Sequence, residues 1–247
     1  MSERKELRND YRNKLYHHYV TSHLSGSIEE RVRVRAPYLR RLIDAHFPEQ
    51  LDARILEIGC GHGALIYYAK EMGYSHLVGV DASHEQVEES WKLGLRENIR
   101  QEDLVDTLRK SGDNSYDVII ALDVIEHMTK MELLDLINEL YRVLSTEGKI
   151  ILHMPNASSP FFGRTLHGDY THEQAFTQSS ISQILIAHGF SEVRCFEDSP
   201  IVHGVKSFVR WVVWKVARTG FRLVLVAETG VADEIFTQNF LAVAAKR

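Results

Sequence analysis

Between residues 54 and 155, short apolar runs alternate with amphipathic stretches. "RILEIG" (54–59), "HLVGVD" (76–81), "IRQED" (99–103), "SYDVIIALD" (115–123) and "EGKIILHMP" (147–155) read as strands. Residues 63–72, 83–95 and 130–144 between them read as helices. Ser83 and Gln86 suit a capped start for the second helix, and Gly148 a stop for the third. Near-continuous apolar strands alternating with helices require a parallel sheet covered on both faces. The spacing therefore predicts an α/β, Rossmann-like, doubly wound fold.

Outside that stretch the rhythm changes. "IEERVRVRAPYLRRLIDAHF" has apolar residues at helical spacing, with Pro37 as an interruption and Pro48 near its end. Residues 156–176 have no apolar period, and they precede a helix in "TQSSISQILIAHGF" and a strand in "EVRCFED". The chain ends on "NFLAVAAKR". These features describe one domain over residues 1–247. It has an N-terminal helical extension (1–50), a ligand-binding core (51–155) and two insertions (156–176 and 199–238).

Charge and composition exclude several classes. The net charge of -5 gives no electrostatic reason to expect nucleic acid. The two cysteines, Cys60 and Cys195, make no disulfide framework and suit a reducing compartment. The charged start "MSERKELRNDYRNK" shows no secretory signal, and no eighteen-residue stretch is free of charge. A cytoplasmic location is the expectation.

The glycine loop is the first functional feature. Gly59, Gly61 and Gly63 follow the first strand, and Asp81 ends the second. In open parallel sheets a ligand sits beyond the carboxyl ends of the strands, where strand order reverses. The loop suits a nucleotide-like ligand, and Gly59-x-Gly61-x-x-Ala64 also satisfies a nicotinamide fingerprint. Glu57 argues against pyrophosphate, which it would repel, and for a ligand with a cationic amino acid part. Asp103 ends the third strand, where an acid can accept from an adenine amine. Asp123 and the Glu126–His127 pair lie just past the fourth.

"ILEIGCGHGALI", "LVGVDAS", "YDVIIALDVIEHM" and "LYRVLSTEGKIILHMPN" resemble the successive motifs of class I S-adenosylmethionine-dependent methyltransferases over about residues 50–155. The resemblance implies a seven-stranded sheet, mostly parallel, whose last strand is antiparallel. It implies S-adenosylmethionine as cofactor. Glu57, Gly59, Cys60 and Gly61 then line its methionine part. Asp81, with Ala82 beside it, binds the ribose, and Asp103 and Leu104 flank the adenine. Leu122, Asp123 and His127 lie near the methyl donor.

The two insertions are expected to build the acceptor side. "LHGDYTHEQAFT" (166–177) crowds His167, Asp169, His172 and Glu173 together. A histidine near its ordinary pKa is a base at neutral pH. The His-x-x-x-Phe-Thr pattern resembles a segment of methyltransferases that accompany glycan and cell-envelope polysaccharide synthesis. His172 is the expected base, with Asp169 orienting it or binding acceptor hydroxyls. A cap on the following helix is the plain alternative. His127 is a second candidate base or a pocket wall. His167, Asp169 and His172 are metal-ligand types, but their spacing matches no familiar metal motif, and no metal is expected. Cys60 reads better as a small filler than as a reactive thiol.

In the first helix His17, His18 and His23 lie with Tyr11, Tyr16 and Tyr19, and Tyr19 is a candidate cofactor lid. In "SFVRWVVWKVARTGFRLVLVA" (207–227) Val209, Val212, Val213 and Val216 make one face and Arg210, Lys215, Arg218 and Arg222 the other. The plain reading packs the valine face on the sheet. Peripheral membrane contact at an inner membrane face, an acceptor cap and a homodimer contact are its rivals. The expected activity is O-methylation of a sugar or glycan-type acceptor. Quinone-type O-methylation, other small-molecule O- or N-methylation, nicotinamide oxidoreduction and non-catalytic ligand binding are the alternatives.

Overall fold

In a computed structural model, residues 26–247 are described. The readings of Tyr11, Tyr16, Tyr19, His17, His18 and His23 lie outside the described residues. Seven strands form one sheet in the order β3-β2-β1-β4-β5-β7-β6. They are β1 (Arg54–Ile58), β2 (His76–Asp81), β3 (Ile99–Gln101), β4 (Tyr116–Leu122), β5 (Leu144–Pro155), β6 (Phe190–Glu197) and β7 (Asn239–Lys246). The last strand, β7, runs antiparallel to both β5 and β6, as expected. The chain groups into two compact units. One runs through Leu122 and takes in Arg142–Gly148; the other comprises Asp123–Tyr141 and Lys149–Arg247.

In the first unit β1 pairs parallel with β2 and with β4, and β2 with β3, so strand order reverses beside β1. Ile55, Leu56, Ile58, Val118, Ile119 and Ile120 are all buried. Helices α1 (Ile28–His46), α2 (Ala64–Glu71), α3 (His84–Lys92) and α4 (Leu104–Lys110) belong here. Ser27 caps α1 by accepting from the Glu30 amide at 3.3 Å. Contrary to the expectation from Pro37, α1 runs through it unbroken. The missing amide leaves one turn without its bond, while Val32, Leu39, Leu42 and Ile43 bury apolar surface on both sides. The Tyr68 hydroxyl of α2 donates to the Val32 carbonyl at 3.1 Å and ties α1 down. Gly148 does not end the preceding helix. β5 starts at Leu144, and Glu147 takes the left-handed conformation at φ 63°.

In the second unit α5 (Lys130–Val143) carries its residues up to Tyr141, followed by α6 (Phe162–Leu166), α7 (Gln178–Ala187) and α8 (Val205–Thr229). α7 starts with a capping box in which Thr177 and Ser180 satisfy each other's amides. Phe176, just before it, is 2% exposed. Its backbone bonds Pro155 and Ala157 at 3.0 and 2.7 Å. α8 reverses the expectation for its valine face. Val209, Val213, Val216 and Leu223 are 55, 62, 70 and 66% exposed. Trp211, Trp214, Arg218 and Phe221 are the half-buried side. Arg218 pairs with Glu197 at 2.8 Å, and Phe221 meets Phe236 with ring centroids 6.0 Å apart. The aromatic and guanidinium side packs because it finds ring and ion-pair partners there. Among the described residues, no helix is long and apolar enough to cross a membrane.

Candidate active site

The glycine loop bends between β1 and α2. Gly59, Gly61 and Gly63 have φ of 64°, 54° and 78°, the left-handed region that side chains rarely adopt. A Cβ on Gly63 would stand 2.1 Å from Ile99 Cδ1, so the turn also needs the missing side chain for space. Asp81 holds the loop from β2: Oδ2 accepts from the Gly61 amide at 2.7 Å and Oδ1 from Ser83 at 2.8 Å. Each carboxylate oxygen keeps a lone pair for a ligand hydroxyl.

Glu57 is 3% exposed, and its Oε2 is buried with no hydrogen-bond partner. Burial pushes its carboxyl up to about 8, against a lowering influence from Arg35. With one oxygen left without a donor, this buried carboxylate behind a left-handed glycine turn fits a ligand that brings an ammonium group. Cys60 packs instead of reacting. A Cβ on Gly79 would stand 3.0 Å from its sulfur, and burial raises its thiol well above the ordinary value. Asp103 is exposed and caps α4, accepting from the Val105 and Asp106 amides at 2.8 and 3.1 Å. Leu104 opens that helix, Ala82 is exposed beside Asp81, and Leu122 is buried at the end of β4. His62 next to the loop is buried, and burial and Arg35 lower its pKa to about 4, so it is neutral near pH 7.

The second unit holds a polar cluster. Ile125–His127 forms a 3-10 turn, and residues 166–177 are fastened to it. The Glu173 and Gln174 amides donate to the Glu126 carbonyl at 2.8 and 3.2 Å, and the Gln174 side chain to the Met128 carbonyl at 2.8 Å. That clamp sets His172 Nε2 at 4.0 Å from Glu126 Oε1 and the His127 and His172 rings 4.8 Å apart, edge to face. His172 Nδ1 bonds the Thr165 carbonyl at 3.0 Å, so it carries the proton, and in the neutral ring Nε2 is the basic nitrogen.

Asp169 does not orient His172 as expected. Its carboxylate accepts from the Thr171 amide at 2.8 Å and the Thr171 hydroxyl at 2.6 Å. That hydroxyl lies 2.8 Å from His127 Nδ1, so Asp169 positions His127 through Thr171. Burial and the neighbouring His172 lower the pKa of His127, which keeps it neutral. Asp123, at φ 57°, bonds His153 Nδ1 at 2.6 Å, and Asp198 bonds Nε2 at 3.3 Å. Burial opposes the charge on His153, but the two aspartates outweigh it and hold the pKa at about 10.

A model of the methyltransferase domain family matches residues 30–194. The chain belongs to that family. Its domain is of the class I methyltransferase type, for which S-adenosylmethionine is the cofactor. A ubiquinone biosynthesis O-methyltransferase of Rickettsia bellii is 28% identical over 100 residues, 40% of this chain and 41% of that protein. A probable (S)-tetrahydroprotoberberine N-methyltransferase 2 of Papaver bracteatum is 35% identical over 82 residues, 32% of this chain and 23% of that one. The chain spans less than half the length of the curated relatives it matches. Among solved structures, a SAM-dependent methyltransferase from Archaeoglobus fulgidus aligns with TM-score 0.66 at 22% identity. That alignment covers 95% of this chain and 99% of the other. At that identity the likeness shows the fold.

Several parts of the methyltransferase's polar cluster escaped the sequence. Glu126 was legible only as half of an "EH" pair, and His153 and Thr171 lay inside quoted motifs with no role read for them, as did Asp198 at the end of "EVRCFED". His153 sits within an apolar strand, and a histidine there is the one signal that pointed inward.

Proposed function

We propose that this chain methylates an acceptor hydroxyl from S-adenosylmethionine, with a sugar or glycan end as the favoured acceptor class. The observation that carries the O-transfer reading is the clamped histidine pair. Two histidines, one donating Nδ1–H to a carbonyl, stand beside a buried carboxylate. An amine acceptor would need no such base.

S-adenosylmethionine, when bound, supplies an activated methyl group. Glu57 takes its ammonium group, Gly59, Cys60 and Gly61 shape the turn beside the methionine part, and Asp81 with Ala82 meets the ribose. Asp103 and Leu104 border the adenine, and Leu122, Asp123 and His127 the methionine end. His172 Nε2 accepts the proton of the acceptor hydroxyl, and Asp169 holds His127 through Thr171. Residues 51–155 act as the cofactor core, and 156–176 with 199–238 as the acceptor side of one catalytic domain over 1–247. The likeness of "THEQAFT" to glycan-associated enzymes supports the acceptor class. The named activity of the Rickettsia relative supports a quinone-type phenol as second reading.

The exposed valine face of α8 supports peripheral contact with a cytoplasmic-side membrane, with Lys206 and Arg210 exposed beside it for anionic lipid. A homodimer through the same face is the competing occupant.

The test begins with calorimetry of S-adenosylmethionine on wild type and Asp81→Ala. Micromolar binding, weakened roughly tenfold or more by losing a charge-assisted ribose contact, is expected. Acceptor panels of nucleotide sugars, glycan ends, phenols and amines follow, read as adenosylhomocysteine release. Turnover of amines alone, unaffected by His172→Ala, would overturn the hydroxyl reading. Tight binding with no turnover on any panel would favour a ligand sensor.

A further inference from the structure

We infer that Glu126, His127 and His172 form a binding site for a divalent transition-metal cation of the zinc and manganese class. One ligand atom from each of the three lies within 4.8 Å of the others. From the sequence, His167, Asp169 and His172 were weighed as ligand types with no metal expected, and only His172 belongs to this cluster.

The argument rests on which atoms meet. Glu126 is 1% exposed, and its Oε2 is buried with no hydrogen-bond partner. Such a carboxylate oxygen is costly unless a donor or a cation meets it. His172 Nε2 stands 4.0 Å from the other carboxylate oxygen. That nitrogen is itself an acceptor in the neutral ring, because Nδ1 spends its proton on the Thr165 carbonyl. When both groups are deprotonated, two acceptors face each other, and a cation between them would satisfy both. His127 shows the same outer arrangement, with Nδ1 against the Thr171 hydroxyl, which donates on to Asp169. Metal-bound histidines typically engage their second nitrogen with a carbonyl or a carboxylate-linked group, which fixes tautomer and ring plane. Here both rings are oriented in that way.

The surroundings are electronegative. Asp123 and Asp169 act on the Glu126 carboxyl as like charges, which a bound cation would offset. Two imidazoles with one carboxylate suit borderline metals such as zinc, cobalt or manganese, and disfavour calcium and magnesium. Bonds of about 2.1 Å bring ligand atoms to about 3–3.5 Å from one another, so the side chains close by roughly 1 Å. Three protein ligands leave at least one position open. Its use rests on the O-methyltransferase reading above: an acceptor hydroxyl reaching that position would lose its proton to solvent at lower pH. His172 would then serve as ligand in place of base. The site itself does not depend on that reading.

Protein stripped with chelator and titrated with Co²⁺ tests the site directly, alongside Zn²⁺ calorimetry and S-adenosylmethionine calorimetry on the same samples. Wild type should show one saturable visible cobalt band, displaced by Zn²⁺. Glu126→Gln and His172→Ala should weaken both metals by more than about tenfold, with cofactor affinity unchanged. No saturable cobalt or zinc binding by folded wild type overturns the proposal, as does equal binding by both variants. Wild-type binding needs no variant to fold, so the proposal stays falsifiable if a substitution destabilises the chain. Cobalt binding without S-adenosylmethionine binding would sink the functional reading and leave the metal site standing.

Discussion

In the proposed role, Glu57 would both meet the cofactor's ammonium group and report on it. Its carboxyl, pushed to about 8 by burial, is mostly protonated at pH 7 in the free protein. An ammonium group brought beside it favours the carboxylate, so binding S-adenosylmethionine should release a proton. The sign follows: affinity rises with pH up to about 8 and then levels. Calorimetry at pH 7 in two buffers of different ionisation enthalpy should give different apparent enthalpies, and Glu57→Gln should remove the difference. Buffer-independent heat in wild type would mean that the carboxylate is already ionised or does not meet the ammonium. The chemistry of Glu57 could be argued from the sequence, because a strand-end acid beside a glycine turn would repel pyrophosphate. That its Oε2 is buried without a donor could not, since that depends on which neighbours the fold brings near. The same holds for His172. Its chemistry could be read, but the Thr165 carbonyl that fixes its tautomer is a tertiary fact.

At the scale of elements, α1 and α8 show where local rules yield. Pro37 reads as a break, yet α1 continues because buried Val32 and Leu39 anchor its two halves to the same core. Pro37→Ala should restore a backbone donor and raise stability by about 1 kcal/mol, seen as a higher urea midpoint at unchanged slope. An unchanged or lower midpoint would mean that the ring itself packs. In α8 the periodicity correctly separates a valine face from a basic aromatic face, but periodicity alone cannot say which face turns inward. The Arg218–Glu197 pair and the Phe221–Phe236 contact settle it for the basic aromatic face. An exposed valine face of this kind suits the docking proposed for it. Sedimentation with vesicles containing anionic lipid should retain the wild type, and Val213→Asp with Val216→Asp should release it while S-adenosylmethionine affinity stays the same. Vesicle binding that survives both substitutions would remove the membrane reading. Loss of a dimer in the same double variant would assign the face to a second copy.

For the molecule as a whole, the buried charges fix how stability depends on pH. His153 sits on β5, bonded by Asp123 on one nitrogen and Asp198 on the other, and so joins three separate stretches of chain. Its folded pKa of about 10 stands above the ordinary value of 6.5. A raised histidine contributes stability that is fully present below the unfolded value. That contribution is lost as pH rises from 6.5 toward 10. Glu57 acts in the same direction, because a carboxyl held near 8 makes the folded state bind more protons than the unfolded chain between 4.5 and 8. The ligand-free protein should therefore be most stable on the mildly acidic side of neutral and weaken steadily toward pH 9.5, as urea denaturation would show. His153→Gln isolates the larger contribution. At pH 6 the variant should lose on the order of a few kcal/mol relative to wild type, since two aspartates are left facing a neutral amide. By pH 9.5 that deficit should shrink, because wild type has itself begun to lose the charge. A deficit that stays constant across the range would mean that His153 is neutral in the folded protein.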